Sequence, residues 1–364
     1  MTLRASLAAL AAVLLVGTVT ACTSDGGNQG GGHGNEWLAP GKGQATQLLN
    51  FSEGGHDAKA KYVAFYGFSG VSKGMTIAPD GSTYALGQRL VRLKRDRTLS
   101  TRLDTGDSAW GIALLADSSL VFGDNGQVKK IDPQGKETVL AGASGQHRTA
   151  GEALPSSAPA TAVHFTAKAG PFGVRPDGTI LIADGDTLWA LKDRTLKRLY
   201  QLTAKSADGL PLFLAQNNAL DGTGTAYLSP ESDETDIDGT LGDVLMVRSD
   251  GQLGKPLLPE RITGLPGTPA TYRVRWLAGD GNNGVFAHVY DKLGGNGAVV
   301  HLHSGKAELI AHETEGTASN KPCEITRPVD ALHLPCNLPQ AVAYRSGSLI
   351  LGGLANYVLQ IRVT

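Results

Sequence analysis

The most acidic stretch of the chain is a candidate metal-binding loop. Asp233, Asp236 and Asp238 lie close together, with Glu234 between them and Asp243 shortly after. Calcium prefers several carboxylate and carbonyl oxygens as ligands, which such a segment can supply. The spacing departs from that of an EF-hand loop, and no Glu closes the segment. The loop is therefore either a site for a divalent cation such as calcium or a solvated acidic hairpin.

Histidines from different loops can converge on a metal or act as bases. Those that flank the two longest irregular segments of this chain, 142–170 and 313–338, are His147, His164, His312 and His333. They would form a site only if their loops meet in the folded protein, and otherwise they are surface residues. A second set falls on β-rich runs and is expected to fill packing or rim positions: His288, His301 and His303.

Further polar and aromatic residues that could bind a ligand fall on β-rich runs that we expect to line the central channel of the fold. They are Arg175, Asn217, Asn218, Arg275, Trp276 and Tyr344. The segment 70–74 matches the letters of G-x-S-x-G, but it leads into the β-rich run 74–77 and does not open a helix as a nucleophile elbow does. The chain has no H-E-x-x-H pair and no G-x-x-x-x-G-K phosphate loop. We therefore assign no catalytic residue from the sequence.

The elements that must position these residues are repeated. Six times, a short apolar run is followed by a turn rich in Asp, Gly and Ser and then by a second apolar run. The turns are 79–82, 116–119, 176–179, 221–224, 280–283 and 345–348. Such turns favour hairpins, because Gly accepts the positive φ that a tight turn needs. A third and a fourth β-rich run follow each hairpin, except that the last unit lacks a fourth.

The missing strand has a candidate at the other end of the chain. The run 47–51 has no hairpin partner of its own, and we expect it to pair with 357–363. This pairing would close a ring and cover two sheet edges. The sequence therefore predicts an all-β, six-bladed β-propeller of four-stranded blades over residues 45–364. A pair of β-sandwiches is the alternative.

Composition supports this fold class and excludes one class of partner. Glycine accounts for 48 of 364 residues and charged residues for 18%, which indicates many turns and few charged helical faces. The net charge of −1 provides no basic stripe of the kind that nucleic acid requires. We expect a monomer with no nucleic-acid partner.

The third repeat resembles an NHL repeat. The resemblance rests on the segments 160–165, 171–174 and 177–184, while 139–142 matches the end of a preceding unit. The second repeat is a weaker match, and the last three have diverged. The resemblance implies a six-bladed propeller of the kind found in extracytoplasmic sensor, scaffold and binding modules, without specifying a ligand.

Six-bladed lactonases of the gluconolactonase type offer a second comparison. In that family, a Glu, Asn residues and an Asp hold a divalent metal in the central channel. Asn217 or Asn218 could supply one such ligand in this chain. However, 74–77 stands where the Glu would be expected, and it contains no carboxylate.

The N-terminus is typical of an exported lipoprotein. Arg4 precedes the apolar run 7–16, which is too short to span a bilayer as a helix. The segment 19–22 resembles the lipobox of bacterial lipoproteins, which implies cleavage before Cys22 and lipidation of its thiol. The sequence thus predicts a signal peptide over 1–21 and a lipidated, flexible, Gly-rich tether over 22–44. The expected location is the extracytoplasmic face of the cell membrane.

Two cysteines remain for the folded part. Cys323 and Cys336 are thirteen residues apart in a Pro-rich segment. Outside the cytoplasm, such a pair predicts one disulfide. A metal site with the nearby His333 is the alternative, although no second Cys pair completes a tetrahedral set.

The insertions favour one face of the predicted propeller. The second turn of each blade and the link to the next blade lie at the same end of the strands, and every long segment falls at one of these two places. Loops on a rigid scaffold commonly carry binding function. The sequence therefore predicts a membrane-anchored module that binds a protein, a peptide or a glycan on this face. The alternative is a metal-dependent lactonase-like hydrolase or lyase, or a sugar dehydrogenase, with its site in the central channel.

Overall fold

The structure is a computed structural model. It describes residues 38–51, 68, 72–204, 212–214, 217–232, 237–291, 296–314 and 323–364, with only the backbone of 232, 237 and 238. The predicted signal peptide, Cys22 and most of the predicted tether lie outside these residues. Within the part that the structure describes, no helix is both long enough and apolar enough to cross a membrane.

Six antiparallel sheets form the blades, as predicted. Blade 1 contains Gly74–Ile77, Thr83–Leu86, Arg89–Leu93 and Leu99–Asp104, and blade 2 contains Ala109–Leu114, Leu120–Asp124, Gln127–Ile131 and Glu137–Ala141. Blade 3 contains Gly170–Val174, Ile180–Asp184, Thr187–Lys192 and Thr195–Gln201. Blade 4 has short strands, Ala219–Leu220, Ala226–Leu228, Leu245–Val247 and Leu253–Gly254. Blade 5 contains Tyr272–Gly279, Gly284–Asp291, Gly297–His303 and Lys306–His312.

Blade 6 joins the two ends of the chain. Its first three strands are Ala341–Arg345, Ser348–Gly352 and Tyr357–Arg362, and its outer strand is Gln44–Asn50. Ala45 pairs with Ile361 and Asn50 pairs with Tyr357. The predicted closure is thus confirmed, because the N-terminal strand covers an edge that the C-terminal strand would otherwise expose.

Two of the long segments between blades continue the sheets outward. Ser157–Pro159 pairs with the outer strand of blade 3, and Val329–Asp330 pairs with the outer strand of blade 6. A short 3-10 helix follows each, at Ala160–Ala162 and Ala331–His333. The remaining 3-10 helices among the described residues are Gly106–Ser108, Leu241–Asp243 and Pro269–Thr271. In blade 4, a small extra sheet of Phe213–Leu214, Pro230–Ser232 and Ile237–Asp238 is built largely from the acidic insertion.

The first turn of most blades is closed by an aspartate in the same way. The Oδ1 atom accepts a hydrogen bond from the backbone N–H two residues later, at 2.7–3.0 Å, in Asp80, Asp117, Asp177, Asp221 and Asp280. In blade 2, the other oxygen of Asp117 lies 2.6 Å from Lys130 Nζ on the third strand. The repeated Asp is therefore a structural feature of the hairpins, since an Asx turn satisfies the backbone that the turn exposes.

The core lies between neighbouring blades. Phe286 and Val299 of blade 5, for example, pack in one buried cluster with Val342 and Leu349 of blade 6. Some blades meet through backbone atoms: a Cβ added at Gly123 of blade 2 would overlap the Ala169 carbonyl oxygen. Close packing of this kind makes the propeller a rigid scaffold.

The predicted disulfide is confirmed. Cys323 and Cys336 are bonded, with their Cα atoms 5.2 Å apart, and both are buried. The Gln47 side chain donates to the Cys323 carbonyl oxygen at 2.7 Å. The bridge and this hydrogen bond fix residues 323–338 of the last long insertion against the outer strand of blade 6.

Candidate functional site

A cavity with a volume of about 460 Å³ occupies the central channel. Its walls come from the first strands of all six blades, which line it up to their C-terminal ends, together with first-turn residues such as Gly222, Gly281 and Ser346. The cavity therefore lies toward the end of the propeller that carries the first and third turns, here called the first-turn face. The opposite end, which carries the second turns and the links between blades, is called the link face.

Three of the predicted channel residues line this cavity: Asn218, Trp276 and Tyr344. Asn218 and Trp276 are buried. Asn218 Oδ1 accepts from the Ser229 N–H at 3.1 Å, and the Tyr344 hydroxyl accepts from the Gly347 N–H at 3.2 Å. These side chains form part of the cavity wall. The Asn218 side-chain oxygen and the Tyr344 hydroxyl already accept hydrogen bonds from backbone N–H groups.

Two further predicted residues join blades 4 and 5 instead. Asn217 Nδ2 donates to the Arg275 carbonyl oxygen at 2.7 Å, and the Asn217 carbonyl oxygen accepts from the Leu277 N–H at 3.0 Å. The Arg275 guanidinium lies 4.4 Å from the centre of the Tyr290 ring. Arg175 joins blades 3 and 4 in a similar way, because its Nε donates to the Gly224 carbonyl oxygen at 3.1 Å.

The predicted loop histidines are not brought to the channel. His147 is exposed and hydrogen-bonds Asn125 Oδ1 at 3.2 Å, and His164 is exposed beside blade 3. His333 lies 2.9 Å from Asp330 on the segment that borders blade 6. None of these three lines the central cavity, because the long insertions follow the outer edges of blades.

The predicted acidic metal site lies largely outside the described residues. Asp233 and Asp236 lie outside the described residues, and for Asp238 the structure gives the backbone alone. A calcium site there stays a prediction.

The channel does not assemble a lactonase-type metal set from the described residues. Gly74–Ile77 contributes no carboxylate. Asp221 Oδ1 is held by the N–H groups of Thr223 and Thr225. The Asn217 side-chain oxygen is buried without a hydrogen-bond partner, but Asn217 is not among the residues that line the cavity.

Asp280, which lines the channel, hydrogen-bonds two backbone amides and a histidine. Its Oδ1 accepts from the N–H groups of Asn282 and Gly284 at 2.7 and 3.1 Å, while its Oδ2 lies 2.9 Å from His301 Nε2. Burial raises the pKa of this carboxyl, but the hydrogen bonds from His301 and the two amides outweigh burial and leave the pKa below its usual value. Asp280 is therefore charged at neutral pH and fixes the His301 ring.

A basic groove continues from the central cavity between blades 6 and 1. It has a volume of about 370 Å³, and it shares Ile77, Arg345 and Ser346 with the central cavity. Its charged lining consists of Lys94, Arg95, Arg345 and Arg362, and its lining includes no carboxylate. The nearest acidic neighbours in sequence are Asp96, which follows Arg95 in the third turn, and Asp80, whose Oδ2 is 2.7 Å from Arg92. We call these four cations with their surrounding walls the basic groove.

Hydrogen bonds to the backbone position two of the four cations. Arg345 Nη1 donates to the Ile77 carbonyl oxygen at 3.3 Å, and Arg362 Nη1 donates to the Ser346 carbonyl oxygen at 3.2 Å. Lys94, Arg95 and Arg345 are exposed. The walls also contain the neutral polar side chains of Thr83, Ser348 and Gln360. Ser348 Oγ accepts from Gln360 Nε2 at 3.3 Å and from Arg362 Nη1 at 3.4 Å. This combination suits carboxylate or phosphate oxygens, because guanidinium groups bind them through paired, charge-assisted hydrogen bonds.

Sequence reasoning missed the basic groove. Its cations come from the third turn of blade 1 and from two strands of blade 6, which are neighbours only because the ring closes. The groove could have been predicted from the sequence only by combining the predicted ring closure with the positive charges at 94–95, 345 and 362.

Comparisons with known proteins agree with the fold. No family model matches the chain, and no curated protein matches it. A protein of unknown function from Bacteroides thetaiotaomicron has a TM-score of 0.54 at 12% identity, over 81% of this chain and 69% of that one. A gluconolactonase from Xanthomonas campestris has a TM-score of 0.48 at 15% identity, over 89% and 98% of the two chains. Virginiamycin B lyase from Staphylococcus aureus has a TM-score of 0.46 at 11% identity, over 88% and 99%.

At these identities the likeness concerns the fold alone. The propeller itself is shown by the sheet topology of this chain. NHL-repeat membership and lipidation stay predictions.

Proposed function

We propose that the protein is a lipid-anchored, extracytoplasmic binding module that holds an anionic ligand on its first-turn face. The observation that carries this proposal is the basic groove, four cations without a carboxylate in the lining, which opens into the central cavity. Unbalanced charge along a cleft attracts ligands of the opposite sign and raises their rate of association. The groove and the cavity together resemble ligand sites in volume, since such sites span about 300–1,000 Å³.

The ligand class that fits best is an acidic glycan, with carboxylate or phosphate groups on a hydroxyl-rich chain. Arg345 and Arg362 offer guanidinium groups, and Ser348 and Gln360 offer the neutral donors and acceptors that sugar hydroxyls use. A protein or a peptide ligand and a location on the link face are the competing outcomes. The insertions at 142–170 and 329–338 lie along blade edges, which argues for a scaffold role of those insertions.

The binding proposal is tested by titrating the full-length protein in detergent with defined polymers. The probes are polygalacturonate for carboxylates, polyphosphate for phosphates and dextran as a neutral chain. We expect binding to at least one anionic probe that weakens as salt is added, and no binding to dextran. Charge reversal with Arg345→Glu plus Arg362→Glu is expected to lower the affinity roughly 100-fold, at about tenfold per lost ion pair.

A matched control separates the groove from general charge effects. Lys136→Glu plus Arg194→Glu makes the same change in net charge at exposed third-turn positions in blades 2 and 3. We expect this control to bind like the wild type. Equal losses in the two double variants, or binding of dextran as tight as that of the anionic probes, would contradict a specific groove.

Membrane anchoring forms the second part of the proposal. It is supported by the lipobox-like segment 19–22 and by the Gly-rich stretch behind it. Mass spectrometry of the N-terminal peptide from protein made in a bacterial host should find a processed chain that begins at a diacylated Cys22. Cys22→Ser should release the protein from the membrane fraction. An unprocessed N-terminus, or an unmodified Cys22 in membrane-bound protein, would remove the anchor from the account.

A further inference from the structure

A cluster of metal-ligating side chains lies at the first-turn face of blade 5, outside the lining of the basic groove. The third strand of this blade, Gly297–His303, and its outer strand, Lys306–His312, are joined by the two-residue turn Ser304-Gly305. Their register places His301 opposite Glu308. Because residues two apart on a strand share a face, His301, His303 and Glu308 lie on the same side of the sheet. This side contains Val299 and faces blade 6.

The three side chains are close enough to share one ion. A nitrogen of each His and a carboxylate oxygen of Glu308 lie within 4.8 Å of one another. The separation between His303 Nε2 and Glu308 Oε2 is 3.9 Å. The His301 and His303 side chains are 16% and 30% exposed and that of Glu308 is 66% exposed, so an ion can enter from solvent. Two imidazoles and a carboxylate are a common donor set for zinc and neighbouring divalent metals.

Asp280 provides the second, independent observation. Its Oδ2 lies 2.9 Å from His301 Nε2, and its Oδ1 is fixed by two backbone amides. Histidines that bind metals usually donate their other ring N–H to a carboxylate or carbonyl group, which sets the tautomer and the ring orientation. The hydrogen bond to Asp280 commits His301 Nε2 as the donor and leaves Nδ1 as the atom available to a metal.

Aromatic packing restrains His301 further. The Phe286 ring stacks on it with centroids 4.3 Å apart, and Tyr344 packs against Phe286 at 4.7 Å. The ring of His303 stacks on the same His301, with centroids 4.3 Å apart. Stacked rings do not point at a common atom, so metal binding requires the more exposed His303 ring to rotate. Lys306, opposite His303 in the register, is the cation on this face that opposes binding.

We propose that His301, His303 and Glu308 form a binding site for a divalent transition-metal ion of the zinc class, with Asp280 as a positioning residue for His301. The three ligands are separate from the anionic-ligand proposal, because none of them lines the basic groove or the central cavity, which Asp280 alone of these residues borders. Three protein ligands leave a coordination position free for water or for an exogenous donor.

The test is a zinc titration of tag-free, full-length protein in detergent, in competition with a chromogenic chelator. We expect one equivalent to bind to the wild type, with an affinity that falls at least 100-fold in His303→Ala. Asp280→Asn should weaken binding about 10–100-fold, the range typical of partners in the outer shell of a metal site. His147→Ala, at an exposed histidine bonded to an amide, is the control and should bind like the wild type.

Thermal unfolding gives a readout that does not depend on the chelator. Saturating zinc should raise the Tm of the wild type and of His147→Ala, because an ion that binds only the native state stabilises it. The same zinc should leave the Tm of His303→Ala unchanged. Wild type and His303→Ala binding zinc alike, or neither binding it, would overturn the site; an Asp280→Asn affinity equal to that of the wild type would overturn the role of Asp280.

Discussion

Arg148 and Asp184 form a buried ion pair that ties the insertion between blades 2 and 3 to blade 3. Arg148 Nε lies 2.8 Å from Asp184 Oδ2, and the side chains are 2% and 0% exposed. The Arg148 guanidinium also reaches Asp186 Oδ1 at 2.9 Å, while the Thr166 N–H donates to Asp184 Oδ1 at 2.7 Å. The insertion is thus a fixed part of the scaffold.

Removing the cation of this network should strongly destabilise the protein. Arg148→Ala leaves the carboxylate of Asp184 buried without its partner, and breaking a buried pair in this way costs about 3–5 kcal/mol. Chemical denaturation should therefore show a lower free energy of unfolding by that amount. Arg194→Ala, at an exposed position, should change it by less than about 0.5 kcal/mol. Similar values for the two variants would mean that the network does not hold the insertion.

The close approach of blades 2 and 3 predicts a steric effect. Gly123→Ala adds a Cβ that overlaps the Ala169 carbonyl oxygen, a backbone atom that cannot move alone. Overpacking of this kind costs about 1–3 kcal/mol. Gly254→Ala is the matched control, since its added Cβ meets no atom within 4 Å. Unfolding curves should separate the two variants, and a Gly123→Ala protein as stable as Gly254→Ala would be inconsistent with the packing described.

His288 should make the protein less stable in mild acid. Burial and the nearby Arg275 lower the pKa of this fully buried imidazole to about 3, although it hydrogen-bonds the Gln340 carbonyl oxygen at 2.9 Å through Nδ1. Between about pH 6.5 and that value, the unfolded chain binds a proton that the folded chain does not, so stability falls as pH falls. The limiting slope is about 1.4 kcal/mol per pH unit.

The variant His288→Leu isolates this contribution. It should flatten the dependence of the free energy of unfolding on pH between 6.5 and 4, even though the lost hydrogen bond lowers stability at pH 7. His164→Leu, at an exposed histidine, should keep the wild-type slope. A slope unchanged in His288→Leu would show that His288 is not the group responsible.

The turn aspartates act at lower pH. The hydrogen bond from Lys130 holds the pKa of Asp117 below its usual value, with help from the Ser119 amide and against burial. Because the folded pKa lies below the unfolded one, the ionised carboxylate stabilises the fold above about pH 4, and this stabilisation is lost as pH falls through the folded pKa. Asp117→Asn should therefore show a shallower loss of stability between pH 4 and 2 than the wild type. If the wild type and Asp117→Asn lost the same stability between pH 4 and 2, the turn aspartate would not be responsible for that loss.

The sequence was sufficient to predict the architecture because the determining signals are local or involve the chain ends. Turn residues such as Asp80 and Asp177 mark hairpins, and an unpaired strand at each end of the chain implies closure. The pairing of Cys323 with Cys336 followed from their number and their predicted compartment. In blade 4 the strands are short, and the acidic insertion forms an extra sheet. No alternation of apolar and polar residues in the sequence predicted that sheet.

The sites were harder to predict, because they depend on which strands become neighbours. Arg345 and Lys94 meet only across the closing blades. The blade 5 cluster had a readable signal: a two-residue turn after His301-x-His303 sets Glu308 opposite His301. Those histidines were expected to fill packing or rim positions, and their partner Asp280, one of the repeated turn residues, was read only as part of a hairpin.

The most direct test of the central claim is amide hydrogen exchange with and without the anionic polymer that binds best. Binding at the basic groove predicts slower exchange in the backbone around 79–83, 94–97 and 345–348, next to the four cations. Exchange at the link-face insertions 142–156 and 323–338 should stay unchanged. Protection confined to those insertions, with the first-turn face unaffected, would contradict the account and place the ligand on the opposite face.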